Sequence, residues 1–324
     1  MESDAERQRF TLSLRRFRQI AIVTVVGVCF LTVAGAVVRL TGSGLGCDDW
    51  PNCNDERFID VSTGHAAVEQ INRLLSGVIG IPTLLLAVGA FRVRPQRAGL
   101  KMPSLAVLVT ILANGVVGGM AVRGDLHPTL VQSHFVLAMI SIAFGLVAVH
   151  RSAPEPVDEH RTTDRVSGVL FGVLGVLVAA SLVTGTVVTG AGPHAGDETA
   201  RRYGFDISTV AQIHSVTVWF AVAAFLALVV SLRRSGTDRG LTRHISTWMF
   251  LAVLQGGIGY VQYFTDVPAT LVAAHVAGAT ALWVSTVLFL QAGLTPLISP
   301  TESEVHTPET QLQRSLTFGS SPTA

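Results

Sequence analysis

Within the stretch VEQINRLL, residues 68–75, Glu69, Asn72 and Arg73 stand a few residues inside a run that otherwise reads as buried in apolar surroundings. A carboxylate in such a setting is costly, and it marks a functional position unless it is paired. Glu69 and Asn72 are three apart and share a helical face, while Glu69 and Arg73 are four apart and can form an ion pair. Three histidines, His134, His214 and His275, lie inside other apolar runs, and Cys47 and Cys53 flank the sequence DDWPN. Imidazoles in pairs bind metals, a buried carboxylate handles charge, and two nearby cysteines form either a staple or a reactive dithiol.

These residues need a scaffold, and the composition says what kind. The 324-residue chain is 49% hydrophobic and only 14% charged, with a mean hydropathy of +0.50. That balance is the signature of a membrane protein. Apolar runs long enough to cross a bilayer as helices fall at residues 20–40, 68–91, 103–121, 131–150, 166–190, 208–232, 244–264 and 270–291. The expected fold is therefore an all-α membrane protein of eight transmembrane helices. Arginines at 7, 9, 15, 16 and 18, and again in alternate connections at 92, 94, 97, 151, 161, 165, 233, 234, 239 and 243, place both termini in the cytoplasm of a multi-pass plasma-membrane protein. The net charge of +1 argues against nucleic-acid binding. The first span lacks a small-residue cleavage site and reads as retained. The organisation that follows is a cytoplasmic segment 1–19, a four-helix half 20–150 with an outer cysteine loop 41–67, a linker 151–165, a second four-helix half 166–292 and a polar tail 293–324 expected to be disordered.

The two halves resemble each other. PTLVQSH ending at His134 recurs as ATLVAAH ending at His275, and VEQIN ending at Asn72 recurs as VAQIH ending at His214. GAVVRLTGSG from Gly35 is echoed by GTVVTGAG from Gly185, and NGVVGG from Asn114 by QGGIGY from Gln255. Four spans per unit is an even number, so both units cross in the same direction, a parallel repeat about an axis along the membrane normal. Asn72, His134, His214 and His275 then sit at one depth, close to the outer face.

A histidine pair on facing helices at matched depth can hold one planar metal cofactor from both sides, and imidazole is a common axial ligand of haem iron. A bare zinc ion would need a third or fourth ligand, which the sequence near His214 and His275 does not offer. Haem fits best. In that context Glu69 and Arg73 line an N-terminal haem pocket, Arg73 meeting a propionate and Glu69 the reacting edge; the structural alternative is an ion pair that locks the helix end. The remaining histidines, His65, His127, His150, His160, His194, His244 and His306, read as solvated surface residues, with His65 placed to reach toward the face of Asn72. Cys29, mid-span, reads as a small buried residue. Cys47 and Cys53 lie on the oxidising side of the membrane, where a disulfide closing a short loop is the expected state.

VVRLTGSGLGCDDWPNC, the Glu and Arg on the second span, and the three histidines on later even-numbered spans resemble, in combination, the haem A synthase family, membrane enzymes that convert haem O to haem A for terminal oxidases. The resemblance covers roughly residues 18–292. It implies that His214 and His275 hold a resident haem b, that the N-terminal half takes haem O as substrate with His134, Asn72 and Arg39 around it, and that Glu69, Arg73, Cys47 and Cys53 serve turnover. Haem O synthase, a terminal oxidase and an electron acceptor are the partners it implies, besides the lipid bilayer. The family pattern E-x-x-H-R is broken here, because Asn72 stands where the first histidine belongs. The reaction implied is successive hydroxylation of one porphyrin methyl to a formyl group, with Glu69 taking a proton or stabilising positive charge at that methyl. A non-catalytic di-haem cytochrome b, a small-solute transporter and an assembly subunit are the competing readings.

Overall fold

The structure, a computed structural model, describes residues 11–153, 164–236 and 239–294. Arg7, Arg9, His160, Arg161, His306, the tail and most of the linker lie outside the described residues.

Eight helices make up the fold: α1 Leu14–Leu40, α2 Gly64–Arg92, α3 Lys101–Arg123, α4 Pro128–Arg151, α5 Arg165–Ala191, α6 Ile207–Ser235, α7 Thr242–Phe264 and α8 Ala269–Leu294. Each contains the apolar run expected of it. Side-chain caps mark several starts: Ser13 accepts from the Arg16 N–H, Thr63 from Ala66, Asp164 from Val166 and Ser167, and Asp206 from Thr209. The only strands among the described residues are β1 Leu12–Ser13 and β2 Val93–Arg94, two-residue segments that pair in parallel beside the start of α1 and that the sequence reading did not anticipate.

Seven of the helices are long and apolar enough to cross a membrane, and the protein is a multi-pass membrane protein. The eighth expected span is present as α7, but its composition falls short of the others. Its first turns read Thr-Arg-His-Ile-Ser-Thr, and Gln255 and Gln262 interrupt the apolar run further on.

Among the described residues the helix contacts fall into two sets of four, a closed ring α1–α4 and an open ring α5–α8 in which Ser215 and Trp219 of α6 reach Tyr260 of α7. In the first, α1 lies against α2 and α4, and α3 lies against α2 and α4; in the second, α5 lies against α6 and α8, and α7 lies against α8. The rings meet through α1 on α8, α4 on α5 and α4 on α8. Neither diagonal pair, α2 with α4 or α6 with α8, is in close backbone contact among the described residues.

Apolar packing is concentrated at one end. At the end where α1 begins, Phe17, Ala21, Leu86, Val93, Leu100 and Val107 fill the first ring, and Phe171, Leu174, Phe225, Leu228, Trp248 and Phe289 fill the second. Val25, Val28, Met139, Ile142 and Val287 pack between the rings, where the Trp283 indole N–H donates to the Met139 carbonyl at 2.8 Å. The opposite end, here the far end, carries the connections 41–63, 124–127, 192–206 and 265–268.

The two short far-end turns share one unusual geometry. Asp125 and Leu126 follow α3 with φ of 52° and 53°, and Asp266 and Val267 follow α7 with φ of 58° and 57°. Non-glycine residues rarely adopt that left-handed conformation, least of all a β-branched valine. Each turn is closed by a backbone bond, Leu126 N–H to Ala121 and Val267 N–H to Gln262, at 2.8 and 2.9 Å.

Candidate functional site

His214 and His275 come from diagonal helices, as the eighth residue of α6 and the seventh of α8. Their ring centroids are 6.4 Å apart with 79° between the planes. Taking a metal–imidazole nitrogen distance of about 2.0–2.1 Å and ~1.2 Å from nitrogen to ring centre, two rings flanking one metal ion would have centroids about 6.4–6.6 Å apart. The spacing suits one metal ion between two imidazoles. Among the described residues no cluster of three or more His, Cys, Asp and Glu forms a metal site, so the pair has no third protein ligand beside it.

His275 Nδ1 is buried without a hydrogen-bond partner, whereas the neighbours of His214 set its hydrogen bonding. Thr184 Oγ1 lies 3.1 Å from His214 Nδ1, and its own proton goes to Ala180 carbonyl or to Thr217 Oγ1. Nδ1–H therefore donates to Thr184, and Nε2 keeps its lone pair for a metal. His134, the seventh residue of α4, is fixed in the same tautomer: its Nδ1 is 3.1 Å from the Asn114 carbonyl, which can only accept. In α8, the Gln255 amide donates to the His275 carbonyl at 2.8 Å.

All three rings are seated against a glycine of the preceding helix. A Cβ added to Gly185 would stand 3.1 Å from His214 Cε1, one on Gly259 3.0 Å from His275 Cε1, and one on Gly118 3.2 Å from His134 Cε1. These are tighter than most side-chain contacts, so a side chain at any of the three glycines would push its ring aside by a few tenths of an ångström. Asn72 is the ninth residue of α2 and half-buried, and its Oδ1 is buried without a hydrogen-bond partner.

Glu69 and Arg73 meet the disulfide loop. Glu69 is 5% exposed and is the only acidic residue in the eight helices. Its Oε1 accepts from Arg73 Nε at 3.1 Å and Nη2 at 2.6 Å, and its Oε2 accepts the Cys47 N–H at 2.7 Å. Arg73 also donates to the carbonyls of Asp49 at 2.8 Å, Asn52 at 3.0 Å and Cys47 at 3.4 Å. A guanidinium has five N–H donors, and all five are engaged here. Arg73 is thus a clamp on the loop, and in this arrangement it has no donor left for a propionate. Cys47 and Cys53 are joined with Cα atoms 4.4 Å apart, and each is only 1% exposed.

The loop is held from its other side as well. Arg123 donates to the Trp50 carbonyl and to Asp49 Oδ1, at 2.5 and 3.4 Å. The Trp50 N–H and Arg123 together hold the Asp49 carboxyl below the usual carboxylate range. No sequence pattern marks this second clamp, because position 123 closes a helix more than 70 residues downstream.

Arg39 behaves differently from Arg73. Its Nη2 reaches across to the second ring, to the Thr189 carbonyl at 2.8 Å and the Pro193 carbonyl at 3.4 Å. Its Nε and Nη1 have no hydrogen-bond partner among the described residues. His65, in the first turn of α2, is exposed as expected and lies 2.9 Å from Ser43 Oγ, while His194 is half-buried and its Nε2 donates to the Val267 carbonyl at 2.9 Å. His65 is therefore part of the loop anchor.

The profile of the COX15-CtaA family, described as cytochrome oxidase assembly protein, matches residues 18–62 and 58–287. Among curated relatives, the chain is 32% identical over 134 residues to the heme A synthase of Geobacillus kaustophilus (strain HTA426), covering 41% of this chain and 42% of the relative. It is 29% identical over 154 residues to the heme A synthase of Alkalihalophilus pseudofirmus, covering 47% and 52%. It is 28% identical over 134 residues to that of Lysinibacillus sphaericus (strain C3-41), covering 41% and 44%. The matched region spans about half the length of these relatives.

Proposed function

The chain belongs to the COX15-CtaA family of cytochrome oxidase assembly proteins, and on that premise we propose that it oxidises haem O to haem A. The observation that carries this reading is the pair His214 and His275 on diagonal helices, with centroids 6.4 Å apart, in a ring whose counterpart holds His134 but has Asn72 where His214 stands. One ring is built to keep a metalloporphyrin, and the other to exchange one. A resident haem b in the C-terminal ring supplies one-electron redox chemistry when bound.

The N-terminal ring is the substrate side. Its porphyrin methyl becomes a formyl group by loss of four electrons and four protons with uptake of one water, in two hydroxylations and a dehydration. Glu69 lies one helical turn from Asn72 and holds a negative charge that stabilises positive charge developing at that methyl. Arg73 and the Cys47 N–H fix its carboxylate in place, so the disulfide loop positions the reacting edge. Arg39, with two nitrogens not bonded to protein, is the guanidinium available to a propionate. The disulfide lies beneath the loop, and its redox participation requires the loop to open.

The two rings form a parallel repeat in this reading. The matching left-handed turns after α3 and α7, the equivalent ring-to-ring contacts of α1 with α8 and α4 with α5, and the paired glycine seats support it. The arginine-rich connections support a plasma-membrane orientation with the far end outside. Cells supplying haem O and expressing this chain should yield haem A on extraction. Absence of haem A, with haem O and the protein both present, would overturn the proposal.

A further inference from the structure

Three imidazoles in this protein sit on glycine seats: His214 on Gly185, His275 on Gly259 and His134 on Gly118. The repeat contains a fourth seat. GAVVRLTGSG from Gly35 matches GTVVTGAG from Gly185, so Gly35 stands on α1 where Gly185 stands on α5, and Asn72 stands on α2 where His214 stands on α6. A Cβ on Gly35 would meet nothing within 4 Å. The seat is kept while the ring it would serve is replaced by a shorter side chain.

Asn72 does not restore the missing ligand. Its amide ends one bond past Cγ, whereas the imidazole Nε2 that faces a metal lies two bonds past Cγ, so the amide stops short of an iron held by His134. Its Oδ1 is buried and has no partner, and so is Oδ1 of Asn114, whose backbone carbonyl fixes the His134 ring. A buried acceptor left alone costs free energy, and a small donor molecule bound to Asn72 Oδ1 removes that cost. The corresponding positions in the other ring are His214, whose Nδ1 is bonded to Thr184, and Gln255, whose Oε1 is likewise buried without a partner, so the orphan that sets the first ring apart is Asn72 Oδ1.

We propose that the space between Gly35 and Asn72 is a binding site for a small neutral ligand with a lone pair for iron and an N–H or O–H for Asn72 Oδ1, water in the resting protein and free imidazole as an analogue. The inference rests on the reading that the N-terminal ring takes a porphyrin, with His134 as its one protein ligand. It makes that site exchangeable on one side, while the C-terminal site is closed on both. The substrate iron can then enter and leave by breaking one protein bond.

The test uses the full-length protein in detergent, loaded with ferric protohaem and followed by optical and electron paramagnetic resonance spectroscopy. We expect one low-spin haem from His214 and His275 and one high-spin haem from the N-terminal ring. Added imidazole should convert the high-spin haem to low spin one for one, and Asn72→His should do so without imidazole. Gly35→Leu, which fills the seat, should retain the high-spin haem and lose the response to imidazole. A second haem that is low-spin in the wild type before imidazole is added, or a Gly35→Leu protein that still responds in full, would overturn the inference while leaving the porphyrin reading intact. No haem in the N-terminal ring of either the wild type or Asn72→His would remove both. If Asn72→His does not fold, the imidazole titration of the wild type and of Gly35→Leu decides.

Discussion

Arg39 on α1 donates to the carbonyl of Thr189 on α5 at 2.8 Å, and the two residues occupy the same position in the two copies of the motif that begins at Gly35 and at Gly185. One guanidinium therefore ties the two rings together, with two of its nitrogens left for a ligand. Arg39→Lys keeps the charge but loses the fork that serves carbonyl and carboxylate together. We expect that variant to insert normally and to lose haem O affinity about tenfold, the effect of ~1.4 kcal/mol. Haem retention during purification measures it.

Glu69→Gln keeps an oxygen for the Cys47 N–H and removes the charge. The variant should keep the haem held by His214 and His275 and lose haem A formation, read by extraction and chromatography of total haem. Full activity would remove Glu69 from the mechanism.

Arg73→Ala leaves Glu69 buried and unpaired and frees three loop carbonyls. Removing one partner of a buried pair typically costs about 3–5 kcal/mol. Locally, the loop should detach, and Cys47–Cys53, 1% exposed in the wild type, should become reducible by a water-soluble thiol. Mass-spectrometric counting of alkylated cysteines after mild reductant checks this: the wild type should resist and the variant react.

Asp206 caps α6, the helix that carries His214. The Ser208 hydroxyl, then the Thr209 N–H and hydroxyl, pull its carboxyl down to about 2. A depressed folded value means that the cap is fully present above the ordinary Asp range near 3.9 and is lost as pH falls through about 2. Hydrogen exchange at the start of α6 should therefore match at pH 7 and pH 4, after correction for intrinsic rates, and rise near pH 2. Asp206→Asn should remove that pH dependence.

Much of this was legible before the structure. Eight helices follow from apolar length, and the place of His134, His214 and His275 in the second turn of their helices follows from where the apolar runs begin. The ion pair of Glu69 with Arg73 follows from four-residue spacing. What Arg73 does beyond that was not legible, because its acceptors are backbone carbonyls of a loop more than 20 residues upstream, and carbonyls carry no sequence signal. For the same reason the proposed propionate partner shifts from Arg73 to Arg39 only once donors are counted. The glycine seats were visible as glycines, but a glycine reports its purpose only when the ring against it is seen. The weaker apolarity of α7 was present in the sequence as Gln255 and Gln262, and Gln255 proves to bond the His275 backbone.

The most direct test of the account is the spectrum of the resident haem in purified wild type, His214→Ala and His275→Ala. The wild type should show a low-spin b-type haem with two imidazole ligands, and each alanine variant should lose that low-spin signal while remaining inserted in the membrane. An unchanged bis-imidazole spectrum in either variant would contradict the assignment of one iron to the space between His214 and His275.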